Sequence, residues 1–541
     1  MAQRFFRSTH LQAFAVFQDL YVGLSPFEAP AVFSLLQAIE FREGIWYPLG
    51  GFRSIMQKLA EGVTNPSDRK VPGRVRVLSD RLVTGVIHSG SSVEGVRVVD
   101  LQKRRKREPA EEFVTGDIFV LNGDLPAWEK LFERAGEAPD KPLTNTSSGQ
   151  RKSAAKEDVG GFPAGNLGGK QPGKGFYGGQ SMQNRFASSS LSTSVVSLHL
   201  GLGREFSKAG ELNHHSIFLA VNNTRLAWDH AFGTFQQDET IRDRTSGMVQ
   251  GGLLRSVRKG MEEAESRFVR EAEGIISVYA TLTERLQTYS RLARERLSDP
   301  EKALLPAFDF NFYVHAPSRT EKTGDVCPQG KDAITVLFPV PPLPTRVSDA
   351  LLSEDPIFSQ GTPKSETQRT LLEAVRKQEA ELKNAVRDAV LLRMSLVEGM
   401  EDFEDQIVLS KTVGPTDWLH KFRLQGGAVF GLAHPLWQLW RLRPGPLWSP
   451  PREVTLGLGQ KWQPGWPLSA LVETILRGLM TVSKKAERGS TRNSRTRLRN
   501  LFACGASCKP GNGVPLVMTG ARQTADEILS LLRQTRKSQD S

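Results

Sequence analysis

The sequence predicts a mixed α/β fold. Three features predict it. Period-two runs of β-branched residues recur, at Arg74–Leu78, Thr84–Ile87, Val93–Val99, Ser192–Gly203 and Ala333–Val340. Residues 250–298 and 366–398 carry apolar side chains three and four apart, the helical period. The chain then closes on a short strand, a glycine turn and a helix, from Asn500 to Leu532.

The first 60 residues look folded. Between Leu11 and Ile39 only Asp19 and Glu28 are charged. Phe14, Phe17, Leu20, Tyr21 and Leu24 recur at helical spacing, and Ala31 to Phe41 repeats the pattern. The run reads as a buried helical hairpin, or as an apolar channel wall or membrane-dipping patch. Trp46 and Tyr47 then enter a turn at Pro48, Gly50 and Gly51. They read as packing, or as a wall against a flat or polyene ligand that glycine backbone can approach closely.

Residues 102–113 read as a charged connector. Asp117–Asp124 reads as a buried strand ending in polar turn residues, Asn122 and Asp124, an ordinary strand end or the edge of a ligand site. From Gly149 to Gly179, ten of 31 residues are glycine. That composition offers too little apolar surface to offset the entropy of ordering, so a disordered insertion is expected. Strand patterns resume at Ser192, His214 and Phe310. On a strand, His214 and His215 would point to opposite faces, which argues against a shared metal. The helix of 250–298 reads as an addition lying on the surface, with a stripe of Ile275, Tyr279, Leu282, Leu286, Tyr289 and Leu292. Residues 341–361 read as loop. Tyr313 and Arg319 are nominated for ligand contact, against core packing and a structural salt bridge. His434 stands in a stretch of small residues beside large aromatics, Arg423–Pro444, which suits an elongated apolar cavity or a tight core.

Length and charge set outer limits. The 541 residues suit two or three domains, or one domain with large insertions. Cys327, Cys504 and Cys508 cannot form a disulfide framework, and no CxxC pair suggests zinc. No run of 18 uncharged apolar residues exists for a spanning helix. Lys and Arg total 71 against 59 Asp and Glu, a formal charge of +12. That charge admits a membrane surface or nucleic acid, but no nucleic-acid module accompanies it. At the C-terminal end, Gly505, Gly511 and Gly513 precede a helix N-terminus, which can aim backbone N–H groups at an anion or electron-rich ring.

Five stretches together resemble the phytoene (carotenoid) desaturases of the bacterial and fungal type, within the flavin-containing amine-oxidase-like superfamily. They are Phe17–Pro30, Glu43–Phe52, Phe312–Thr320, Gly426–His434 and Gly505–Val517, in the family's order. Carotenoid isomerases and retinol saturases share the terminal motif. The match at Trp46–Pro48 and Ala316–Thr320 favours desaturase.

The resemblance implies an oxidoreductase that transfers hydride from a C40 polyene to FAD. It implies FAD contacts at Gly505, Ala506, Gly511, Asn512, Gly513, Val514 and Pro515. Substrate contacts would be Trp46, Tyr47, Gly50, Gly51, Tyr313, Arg319 and His434. No catalytic base and no metal are assigned. It implies peripheral membrane association inside the cell, plastid or endomembrane, a quinone or oxygen as electron acceptor, and room for a homo-oligomer. Nucleic acid is not expected.

The family's opening Rossmann unit, with G-x-G-x-x-G, has no counterpart, so an incomplete FAD-binding Rossmann-like fold is expected. On this reading 1–138 holds the first part of a substrate domain with flavin-domain strands, and 139–192 is the glycine-rich insertion. Residues 193–249 are substrate-domain strands, 250–302 an inserted amphipathic helix, and 303–444 the substrate domain with its cavity wall. Residues 445–495 are an insertion and basic linker, and 496–541 form the FAD-contacting strand, turn and helix. A polyene isomerase or saturase, or a truncated non-catalytic homologue, is the alternative.

Overall fold

The computed structural model describes residues 2–64 except 28, 75–106 except 90 and 91, and 110–134 except 129 and 130. It further describes 191–220 except 209, 226–232, 263–299, 310–355 except 323, 364–434, 443 and 498–539. The glycine-rich insertion (save Leu191 and Ser192), residues 250–262 and the linker of 445–495 lie outside the described residues.

Eleven strands are described: β1 Arg81–Ser89, β2 Ser92–Asp100, β3 Glu111–Thr115, β4 Phe119–Leu121, β5 Phe132–Arg134, β6 Ser194–Leu202, β7 His215–Phe218, β8 Phe312–His315, β9 Asp332–Val340, β10 Ile407–Val413 and β11 Leu501–Ala503. The principal helices are α1 Thr9–Val16, α2 Ser34–Glu43, α3 Gly51–Thr64, α4 Glu263–Ser298, α5 Thr345–Leu352, α6 Glu366–Ser395, α7 Pro415–Phe422 and α8 Val514–Gln539. The strands make three sheets, ordered β3-β2-β1-β5, β10-β6-β9-β8-β7 and β11-β4.

The five-stranded sheet carries the main core, and it is antiparallel at every pairing. Alternation assigns its faces. Val196, Leu198, Leu200 and Leu202 of β6 point one way, with Ile334, Val336, Phe338 and Val340 of β9 and Phe312 and Val314 of β8. They meet α4 and α6 in one cluster. Each large side chain buried there contributes about 1.5–3 kcal/mol. The α4 stripe therefore does not lie on the surface as an addition. Ile275, Tyr279, Leu282, Leu286 and Tyr289 are buried in this core, and Leu292 at the far end stays open.

The helix ends follow from their caps. Ser365 Oγ accepts from the Gln368 amide at 3.2 Å and starts α6. Glu379, buried on α6, accepts from the Thr416 amide and hydroxyl, and so serves the N-terminus of α7.

Several local expectations change. Residues 75–78 form no strand; Val75, Val77 and Leu78 stand exposed. The connector holds the helix Leu101–Arg105 and strand β3. The stretch 341–361 contains α5, opened by Pro344 at its cap. In β4 only Leu121 is buried, while Val120 is exposed. The N-terminal hairpin divides: Ala13, Phe17, Leu20, Val22 and Leu24 are buried, whereas Leu11, Phe14, Leu35, Ile39 and Phe41 face outward.

Candidate functional site

The C-terminal strand–turn–helix is positioned by β4. Strand β11 pairs parallel to it, Leu501 opposite Phe119 and Ala503 opposite Leu121. The Cys504 amide continues the ladder to the Leu121 carbonyl at 2.9 Å. The two polar residues that end β4 then reach the turn. Asp124 accepts from the Gln425 amide at 2.8 Å and from the Ser507 hydroxyl at 3.4 Å. Asn122 Oδ1 lies 3.1 Å from where a Cβ on Gly505 would sit.

Segment 425–434 closes the other side. The Leu432 amide donates to Ser507 Oγ at 3.2 Å. Arg443 is buried and donates to the carbonyls of Leu432, Ala433 and Ala506. Desolvation lowers its guanidinium to about 10. His434 is 4 % exposed and donates from Nδ1 to the Val22 carbonyl at 3.1 Å. Burial first, then Arg443, pushes this imidazole down to about 4, so it is neutral at neutral pH. Its Nε2 faces Gly511, where any Cβ would come to 2.9 Å. Gly511 is thus glycine for close approach as well as for its φ of +147°.

Past Gly511 the turn opens. Asn512 donates to the Tyr21 carbonyl at 2.6 Å. Among the described residues nothing lies within 4 Å of a Cβ placed on Gly513. Val514 and Pro515 begin α8 on the exposed side. The first amides of a helix have no intrahelical partner, and Pro515 has no N–H to satisfy. Gly505, Ala506, Gly511, Asn512, Gly513, Val514, Pro515 and His434 therefore fall on one turn and its support.

Tyr313 and Tyr47 meet at the second face of the five-stranded sheet, opposite α4 and α6. Tyr313 donates or accepts at 2.5 Å with His215 Nδ1 and meets Tyr21 edge to face at 6.5 Å. Tyr47 packs edge-on against His214 at 4.8 Å and beside His315 at 5.8 Å. The Gly50 amide donates to Glu321 at 2.5 Å. Trp46 is 86 % exposed, its indole N–H returned to the Glu43 carbonyl. Gly51 has φ of +74° and starts α3. Tyr21 joins the two groups, through its carbonyl to Asn512 and its ring to Tyr313 and Phe430.

Arg319 lies near His214 but is held by structural partners. Its guanidinium donates to the carbonyls of Leu212 and Phe206, to Ser318 Oγ and to both oxygens of buried Asp332. This is the structural salt bridge weighed in the sequence. His214 and His215 do not face opposite ways: β7 begins at His215, His214 precedes it in a bend, and their rings lie 4.4 Å apart. Among the described residues no group of three His, Cys, Asp or Glu side chains is placed to hold a metal.

Tyr21, His315, Asp124 and Arg443 were not nominated from the sequence. The His-Ala-Pro following Tyr313 carries the signal for His315, and Asn122 with Asp124 at a strand end carries it for the turn. Tyr21 stands in the apolar repeat and in the matched stretch Phe17–Pro30, and Arg443 gives no local signal.

The turn before α8 is thus open on one side and laced to two neighbouring segments on the other. The comparisons give the particular relatives. The chain is 23% identical over 528 residues to the phytoene desaturase of Phycomyces blakesleeanus, covering 97% of this chain and 56% of that protein. It is 24% identical over 536 residues to that of Neurospora crassa, covering 98% and 55%. It is 23% identical over 529 residues to the zeta-carotene-forming phytoene desaturase of Myxococcus xanthus, covering 97% and 61%. No family model matches. The resemblance to the carotenoid desaturases thus extends along nearly the whole chain, and the chain spans between half and two thirds of these relatives' length.

Proposed function

We propose that the chain is part of a flavin-dependent oxidoreductase of carotenoid biosynthesis that desaturates phytoene or a related C40 polyene. The observation that carries this reading is similarity to phytoene desaturases over 97% of the chain. The open turn at Gly511–Pro515, with free helix-terminal amides and space beside Gly513, fits the edge of a flavin ring. When bound, the flavin supplies the hydride acceptor. The residues of this chain bind and orient. Gly505, Ala506, Gly511, Asn512, Gly513, Val514 and Pro515 would hold the ring, with His434 and Arg443 supporting them from behind. Trp46, Tyr47, Gly50, Gly51 and Tyr313 would line the path of the hydrocarbon and exclude water. Arg319 supports that wall from within the sheet.

No helix among the described residues is long and apolar enough to cross a membrane. Exposed Leu11, Leu35, Ile39, Phe41, Leu49, Phe52, Met56 and Leu59 cluster within the N-terminal segments. With the positive charge, they support peripheral membrane association, where a membrane-dissolved polyene would be met. A quinone or oxygen would reoxidise the flavin, and self-association is compatible with this reading. Supplying FAD to the purified chain tests cofactor binding: a stoichiometric bound flavin band supports the assignment, and a colourless protein after gel filtration contradicts it. Isomerase or saturase chemistry is separated by product absorbance, since desaturation lengthens the chromophore and saturation shortens it.

A further inference from the structure

The turn Trp46–Gly51 is held to the five-stranded sheet at two points. One is the Gly50 amide on the Glu321 carboxylate. The other is Tyr47, whose ring rests on His214 and His315. Those two imidazoles share a single hydrogen bond, Nε2 to Nε2 at 3.1 Å. Such a bond needs one N–H and one lone pair, so at most one of the two nitrogens can carry a proton. His214 is oriented further by Thr320 Oγ1 at 2.6 Å, and His215 stacks on His315 at 5.7 Å.

We propose that His214 and His315 form an acid-sensitive clasp, and that their protonation releases the Tyr47 turn and the start of α3 from the sheet. Protonating both rings breaks the pair, because two N–H groups would then face each other and three imidazoles within 4.4–5.7 Å would share like charge. The other groups facing the cluster are Glu40 of α2 toward His215, Arg319 toward His214, Glu321 toward Tyr47, and the Tyr313 hydroxyl.

The direction follows from burial. Desolvation lowers His214 and His215 from the ordinary 6.5, and desolvation with the neighbouring imidazoles lowers His315 to about 4. The closed turn therefore favours neutral rings. Its hold is full above pH 6.5 and is lost as pH falls toward about 4. This inference stands on the turn and the sheet alone, and does not depend on the flavin reading.

Amide hydrogen exchange tests it, reading the 45–52 peptide against a β9 peptide and corrected for intrinsic rates. Protection at 45–52 should fall about tenfold between pH 7 and pH 5 while β9 is unmoved. The double variant His214→Gln/His315→Gln should show less than a twofold change, and His315→Gln alone should flatten the response if the pair is too much for the sheet. Tyr47→Ala should be poorly protected at both pH values. Wild-type protection that stays constant within about twofold, or a glutamine variant that responds to acid as wild type does, overturns the clasp.

Discussion

The Asn512 side chain donates to the Tyr21 carbonyl at 2.6 Å, across 491 residues of sequence. That bond ties the open end of the C-terminal turn to the N-terminal segment. Asn512→Ala removes the donor and leaves a partly buried carbonyl unpaired, a loss of about 1–3 kcal/mol. FAD affinity should fall roughly tenfold or more, since 1.4 kcal/mol is one decade. Flavin titration by fluorescence quenching checks it, and unchanged affinity would separate the turn from the cofactor.

Arg319 and Asp332 form a buried pair, the arginine side chain 11 % exposed and the aspartate fully buried. Arg319→Leu strands a buried carboxylate and should cost about 3–5 kcal/mol. Urea denaturation reads this directly. A variant of wild-type stability would show that Arg319 serves a ligand and not the sheet.

Two buried acids make stability fall as pH rises toward neutrality. Desolvation pushes Asp19 up to about 7, and desolvation outweighs the Thr416 hydrogen bonds to push Glu379 to about 7 as well. A carboxyl raised in the folded state is stabilising below its ordinary value and loses that contribution as pH climbs through the raised one. Stability should therefore fall between about pH 4.5 and pH 7 on account of these groups. Asp19→Asn and Glu379→Gln should each flatten that slope in melting curves taken across pH. His434 works in the opposite sense: lowered to about 4, it favours the fold above pH 6.5 and opposes it in acid.

The outward face of α2 and α3 predicts how the chain meets lipid. Ile39 is 56 % exposed and Met56 67 % exposed. Ile39→Asp with Met56→Asp should weaken sedimentation with anionic phosphatidylserine vesicles by about tenfold, with little change in melting temperature. Equal sedimentation of variant and wild type would remove this face from membrane binding.

Much of the sheet was legible in the sequence, and the reasons for the rest are local. Val196, Leu198 and Leu200 alternate because one face is buried, and that pattern is written in β6. Val75 and Val77 alternate equally well without forming a strand, since periodicity names a face and not a partner. Strand β10 went unread because it is an edge strand with Val408 and Leu409 exposed. The stretch 341–361 read as loop, yet Pro344 stands at the N-cap of α5. At the candidate site, Gly505, Gly511 and Gly513 announced the turn. The partners of that turn, Tyr21 and Arg443, come from distant chain segments, and local spacing does not show that they meet it.

The most direct test of the account is product analysis. The chain, supplied with FAD and phytoene in phosphatidylcholine vesicles, is extracted and its pigments read by absorbance after chromatography. The account predicts new bands at longer wavelength than phytoene, from added conjugated double bonds. Phytoene recovered unchanged by protein that carries bound flavin would contradict it.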